Sequence, residues 1–358
     1  MASNNFNEVA GGVFPVGVDD GHFGIKVVAG PGRSFVMPAR AWAGKLLTAQ
    51  FNDSQAADNV YETADGEFVT ITANDVAAPA VDTRSADYPT SSVNRALVAH
   101  ALIEAGVAGH QVSIVTGLPV DRFYVRGSKN IELIEAKKSS LLRPLSRPVG
   151  SDGLPHLATV VEHAVISEAV AAFLDAQLDF DGNEDPEFSE ISEVMPVAVV
   201  DVGGKTTDIA VVREGGAGLY SEKSGTAEVG ALYLYDQLDR RLREAFQLKE
   251  EVPFAYRKRA IETGSYMLYG KKHDVSKMVA EALDDFAVQV GHEVSKRLKD
   301  ASIFGRTLFV GGGARLLASR CGQVFPGVPA EGIWIPDEPE FANARGMYKA
   351  AHASLSQR

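Results

Sequence analysis

Pro196-Val197-Ala198-Val199-Val200-Asp201-Val202-Gly203-Gly204-Lys205-Thr206-Thr207-Asp208 is the stretch on which the fold turns. An apolar, β-branched run feeds an acid, two glycines and two threonines, and a second apolar run follows at 209–212. That order reads as a strand, a tight turn and a returning strand. Amides freed in such a turn, together with the hydroxyls of Thr206 and Thr207, suit phosphate oxygens, and Asp201 suits a hydrated cation. It is not a Walker A loop, whose lysine precedes a helix instead of a strand.

The same order occurs near the start. Residues 16–18 run into Asp19-Asp20-Gly21-His22-Phe23-Gly24-Ile25-Lys26, and further short strands follow at 25–29 and 34–37. A carboxylate at a strand end, glycines in the turn and a lysine on the returning strand can surround a phosphate, although the segment alone also reads as an ordinary Asp-Gly hairpin. Outward from it come a hairpin around Asp65-Gly66, an amphipathic helix over 93–104, a buried strand over 112–116 ending at Gly117-Leu118-Pro119, and a helix over 162–177. The second half continues with a strand over 219–224, helices over 231–246 and 276–299, and a strand over 308–310. Gly311-Gly312-Gly313 then leads into a helix, where backbone can approach a flat or anionic ligand. Each half thus reads as strand, acid-glycine turn, two strands and helix: a repeat of architecture more than of sequence. The acid-rich segment 179–193 between the halves reads as a solvated loop.

At 358 residues and 45% hydrophobic content the chain has material for about two domains. A formal net charge of −12 argues against a direct grip on nucleic acid. The single Cys321 permits no internal disulfide or four-cysteine zinc site and fits a reducing cytoplasm. Residues 1–13 lack the basic and apolar regions of a signal peptide and read as a flexible tail, and no apolar run reaches membrane-spanning length. The expectation is a cytoplasmic protein without membrane contact.

Taken together, the motifs resemble the actin, sugar-kinase and heat-shock-chaperone ATPase superfamily. Within it the chain is similar to the plasmid-segregation actins of the ParM/StbA family. The closer match rests on Val18-Asp19-Asp20-Gly21, Val115-Thr116-Gly117-Leu118-Pro119, Asp201-Val202-Gly203-Gly204-Lys205-Thr206-Thr207-Asp208-Ile209, Phe309-Val310-Gly311-Gly312-Gly313-Ala314 and Ala342-Asn343-Ala344-Arg345-Gly346-Met347-Tyr348. His22 and Phe23 depart from the small hydroxyl residues common in the first turn, which leaves backbone amides there as the phosphate donors. The resemblance implies an α/β, actin-like fold: two ribonuclease-H-like domains flanking a nucleotide cleft. Domain I would hold 14–170 and 338–358, and domain II 171–337. It also implies ATP (or GTP) with Mg²⁺, filament formation by self-association, and a small DNA-binding centromere adaptor whose apolar helix enters a groove between the domains of the end subunit.

On that resemblance Asp19 and Asp201 would hold Mg²⁺ through water. Asp20, Gly21, His22, Phe23, Gly24 and Lys26 would form the first phosphate site, and Gly203, Gly204, Lys205, Thr206 and Thr207 the second. Gly311, Gly312 and Gly313 would contact the nucleoside. Glu162, taken as the start of the helix crossing between the domains, would orient the attacking water. A small-molecule (sugar-type) kinase is the alternative on the same fold, with Glu104, Asp121 or Glu162 as base. Chaperone ATPases carry a following peptide-binding domain, for which residues 351–358 leave no room. Lys137-Lys138 and Arg240-Arg241 read as solvated pairs on helix faces, and Trp42 and Trp334 as core residues.

Overall fold

The structure, a computed structural model, describes residues 12–46, 59–73, 78, 80–148, 154–299 and 301–357. The expected N-terminal tail, residues 1–13, lies outside them except for Gly12 and Val13. The chain divides into two compact units: Met1–Glu193 with Phe341–Arg358, and Val194–Glu340. The first unit therefore runs past residue 170, where the sequence reading set its boundary.

Unit 1 is built on a five-stranded sheet of β1 (Val13–Asp20), β2 (Gly24–Val28), β3 (Ser34–Pro38), β4 (Gln111–Leu118) and β5 (Thr159–Ser167), in the order β5-β4-β1-β2-β3. β1 to β3 form an antiparallel meander, whereas β4 and β5 run parallel to β1. Central β1 is buried from Phe14 to its end, as a strand covered on both faces should be, while the edge strand β3 exposes most of its residues. Helix α1 (Ser92–Leu102) starts at Ser91, whose hydroxyl accepts from the Asn94 amide at 3.1 Å. It lays Leu97 and Ala101 against Val16, Val18, Ile25 and Val27. Helix α2 (Ile131–Leu142) follows, then α3 (Glu168–Gln177) and α4 (Pro186–Val194).

Unit 2 repeats the plan with β6 (Val197–Val202), β7 (Thr207–Val212), β8 (Gly225–Ala227), β9 (Arg306–Val310) and β10 (Ile333–Trp334), ordered β8-β7-β6-β9-β10. Again a three-stranded antiparallel meander is extended by two parallel strands. Val200, Val202, Ile209 and Val211 pack with Leu234, Leu238 and Leu242 of α5 (Ala231–Phe246) and with Phe286 and Val290 of α6 (Ser276–Leu298). The short helix α7 (Gly312–Leu317) follows β9.

The last helix, α8 (Ala342–Ser356), returns to unit 1 and lies against β1 and α3 with backbone almost touching backbone. A Cβ on Gly17 would stand 2.0 Å from the Ala344 carbonyl oxygen, and one on Gly346 1.8 Å from that of Ala171. Both positions therefore require glycine. The contact is pinned by Asp175 of α3, which receives Arg345 at 2.7 Å and Lys349 at 2.7 Å while almost fully buried.

Four local expectations are corrected. The helix expected from 162 starts at Glu168, because the β-branched stretch before it continues the sheet as β5. The strand expected over 219–224 is a turn, and β8 begins only at Gly225. The acid-rich segment 179–193 contains α4, whose Phe188 amide is capped by Asp185 at 2.7 Å and whose Phe188 and Ser192 are buried. Trp42, expected in a core, is 36% exposed.

Candidate functional site

In unit 1 the first acid-glycine turn joins β1 to β2, with Asp19 opposite Lys26 in register. Asp19 is buried, and Lys26 Nζ reaches its Oδ2 at 2.6 Å. Gly21, His22 and Phe23 form the half-buried corner, and Gly24 is already buried in β2. His22 is tied down sideways: its Nδ1 meets the Thr83 carbonyl at 2.5 Å, and the Thr83 hydroxyl donates to the His22 carbonyl at 2.6 Å. Its ring is thereby held toward residue 83.

Asp20 is corrected. Its Oδ1 receives Lys137 Nζ at 2.8 Å and its Oδ2 receives Asn94 Nδ2 at 2.8 Å, so both oxygens serve the interior of unit 1. Lys137, read from sequence as solvated, is 2% exposed and also donates to the Gly117 carbonyl at 2.6 Å. One ammonium thus ties the end of β1 to the Gly117-Leu118-Pro119 end of β4. Beside it, His163 meets the Thr116 hydroxyl at 2.9 Å. Burial, with the Lys137 charge second, pulls the imidazole down to about 3, so it is neutral at physiological pH.

In unit 2 the second turn joins β6 to β7. Asp201 is buried at the strand end, opposite Asp208. The Gly203 amide closes the turn on the Thr206 carbonyl at 2.8 Å, while the Gly203 and Gly204 carbonyls accept from Ala231 and Leu232 at the start of α5. Gly204, Lys205 and Thr206 stay half-buried at the corner. Thr207 is corrected as a phosphate group: it is fully buried and its hydroxyl donates to the Val229 carbonyl at 2.7 Å. Asp208 is held by the Thr226 hydroxyl at 2.6 Å.

The third glycine turn meets the second inside unit 2. Gly311 has φ +90°, and a Cβ there would lie 2.3 Å from Asp201 Oδ1; one on Gly313 would lie 2.2 Å from Val202 Cγ1. The glycines at 311 and 313 therefore exist because backbone packs directly on the end of β6. Gly312, half-buried, opens α7.

Glu162 is corrected as well. It lies within β5, not at a helix start, beside the irregularity at Val160, and accepts from the Ser113 hydroxyl at 3.2 Å. The acid that opens the helix is Glu168, whose side chain lies close to Gly117, where a Cβ would come within 2.6 Å of Glu168 Cγ. Asn94, Thr83, Lys137 and Glu168 were missed by sequence reasoning. For Glu168 the signal was present, since Ser167-Glu168 is a helix-start pair.

These residues fit an anion and a hydrated cation: buried carboxylates end two equivalent strands, and glycines leave room only for backbone beside them. No group of three or more His, Cys, Asp or Glu able to hold a metal occurs among the described residues. A cation resting on one or two carboxylates plus phosphates is the usual Mg²⁺ pattern. Likewise, no helix among the described residues is long and apolar enough to cross a membrane.

Comparison with known proteins agrees with this plan. Residues 15–178 match the family described as plasmid segregation protein ParM, N-terminal, and residues 199–321 the family described as archaeal actin homologue MreB-like, C-terminal. No curated protein matches significantly. Among solved structures, an archaeal actin homologue superposes with a TM-score of 0.73 at 21% identity, covering 95% of this chain and 100% of that one. The same homologue was also solved with ADP, at a TM-score of 0.70, 20% identity and coverage of 94% and 99%. A 15-stranded ParM filament from Clostridium botulinum gives 0.72 at 18% identity, covering 95% and 99%. With a duplicated five-stranded plan, an acid-glycine turn in each unit, and the two family matches in chain order, this chain has an actin-like fold and resembles ParM over its N-terminal half.

Proposed function

We propose that this chain binds ATP with Mg²⁺, hydrolyses it, and couples the cycle to filament assembly that moves plasmid DNA through an adaptor. The observation that carries the reading is the pair Asp19 and Asp201, each buried at the end of the first strand of equivalent hairpins. Each turn would address nucleotide phosphates. Asp19 and Asp201 would hold the hydrated cation, and Lys26, now paired with Asp19, would share its charge with the β/γ-phosphates. Amides at Gly21, His22 and Phe23, and at Gly204, Lys205 and Thr206, would donate to phosphate oxygens. Gly312, in the turn at the end of β9, would approach the nucleoside. When bound, Mg²⁺ neutralises phosphate charge. The role of orienting water passes from Glu162 to Glu168, the acid that opens α3. GTP in place of ATP would use the same phosphate groups.

Two relatives supply the rest: the archaeal homologue solved with ADP and the ParM solved as a filament. A chain of net charge −12 is a poor direct ligand for a duplex, so a small basic adaptor would connect filament to DNA. High-speed sedimentation tests the core of the proposal. The protein should pellet with Mg-ATP and stay in the supernatant without nucleotide. Phosphorylation of added sugars with no pelleting would favour the kinase instead.

A further inference from the structure

Unit 2 carries a two-stranded hairpin, Ser265–Leu268 paired with Lys271–Asp274, which follows the helix Phe254–Thr263. Its inner face is fixed: Tyr266 is buried against Phe246 at 5.5 Å, and His273 stands edge-on to the same ring at 4.9 Å. Its outer face sets exposed Met267 opposite exposed Lys272, with bare apolar groups around them. Tyr269 is 93% exposed, Met267 53%, and Tyr256 on the adjoining helix 53%. The two-residue turn has φ +48° at Tyr269 and +74° at Gly270. Such a turn ordinarily takes Asn, Asp or Gly first, and a bulky aromatic in the left-handed region costs conformational energy. An unsheltered aromatic held at a strained tip marks a contact surface.

The charge around it narrows the partner. Over residues 254–277, exposed Lys258, Arg259, Lys271, Lys272 and Lys277 stand against Glu262 and Asp274, a net +3 in a chain of −12, while Arg257 is buried and paired with Glu251 and Asp236. The complement exists in the chain itself. Residues 179–193 hold seven acids and no base, all seven exposed, and end beside Val194, which is 72% exposed.

We propose that the hairpin of one copy, Tyr269 foremost, docks on the acidic segment 179–193 of a second copy. Because the two patches differ, a pair keeps one free hairpin on one copy and one free acidic segment on the other, and the contact repeats into an open assembly unless its rotation closes a ring. Opposed charge sets register and encounter, and apolar area at Tyr269, Met267 and Val194 supplies cohesion. The inference rests on the filament reading above.

Charge reversal tests it. Lys271→Glu with Lys272→Glu should raise the critical concentration for Mg-ATP-dependent pelleting about tenfold or more, and so should Glu190→Lys with Glu193→Lys. Nucleotide affinity by calorimetry and the thermal midpoint should stay at wild-type values in both variants. Mixed in equal amounts, the two variants should pellet again, since each then meets its opposite charge. Wild-type-like pelleting of either variant alone, or no recovery on mixing, overturns the pairing while leaving the filament reading intact. A wild-type chain that never pellets overturns both.

Discussion

Asp201 and Glu168 should separate binding from chemistry. Asp201 sits at the end of β6 with a glycine packed on its carboxylate, so it can act on a cation only through a fixed position. Asp201→Ala should weaken Mg-ATP binding by roughly 10- to 100-fold in calorimetry. Glu168→Gln should keep that affinity and lower the hydrolysis rate by about 100-fold, whereas Glu162→Gln should leave the rate unchanged. An equal loss in the two glutamate variants would withdraw the role from Glu168. His163 gives a pH signature. Its pKa falls from 6.5 to about 3 on folding, so below 6.5 the unfolded chain binds the additional proton. Stability contributed by the neutral ring is full above 6.5 and is lost as pH falls toward 3. Denaturant midpoints measured from pH 7 to 4 should decline less steeply in His163→Gln than in the wild type.

Among the elements, the α3–α8 contact is the most exacting. Asp175→Ala would leave buried Lys349 and half-buried Arg345 without their carboxylate, a loss of about 3–5 kcal/mol. Urea unfolding should read it directly, and a loss below about 1 kcal/mol would mean that the two cations find solvent. The elements also divide by how far the sequence disclosed them. Both acid-glycine turns, the helix over residues 231–246 and the three strands of the unit 1 meander were readable, because apolar period and glycine punctuation are local signals, whereas the third strand of unit 2 was expected about six residues too early. The start of α3 was not, since Glu162 inside Val160-Val161-Glu162-His163-Ala164-Val165 mimics a helix-start acid while the β-branched residues around it continue the sheet. Helix α4 hid in a run of acids, although Asp185-Pro186 is a helix start in its own right. Lys137 could not be found at all: its partner Asp20 lies 117 positions away, and only the fold brings them together. Asp20 looked like a ligand for the same reason.

At the scale of the whole molecule, the two units differ in how they are threaded. Unit 2 is one uninterrupted stretch, Val194–Glu340, whereas unit 1 is assembled from both sides of it. The wall of unit 1 that receives α8 is lined by Val115 and Ala171, with Gly17 held open for the helix backbone. During synthesis that wall is made first and its cover only after unit 2. A nascent chain must translate all of unit 2 before Ala344 and Met347 can arrive, so at 5–20 residues per second the groove stays open for on the order of ten seconds. For that interval the ribosome carries a first unit still missing a helix while the second is being made. Chaperones that guard apolar grooves would find their substrate here, and a chain released early, before residue 341, would keep its first unit permanently open.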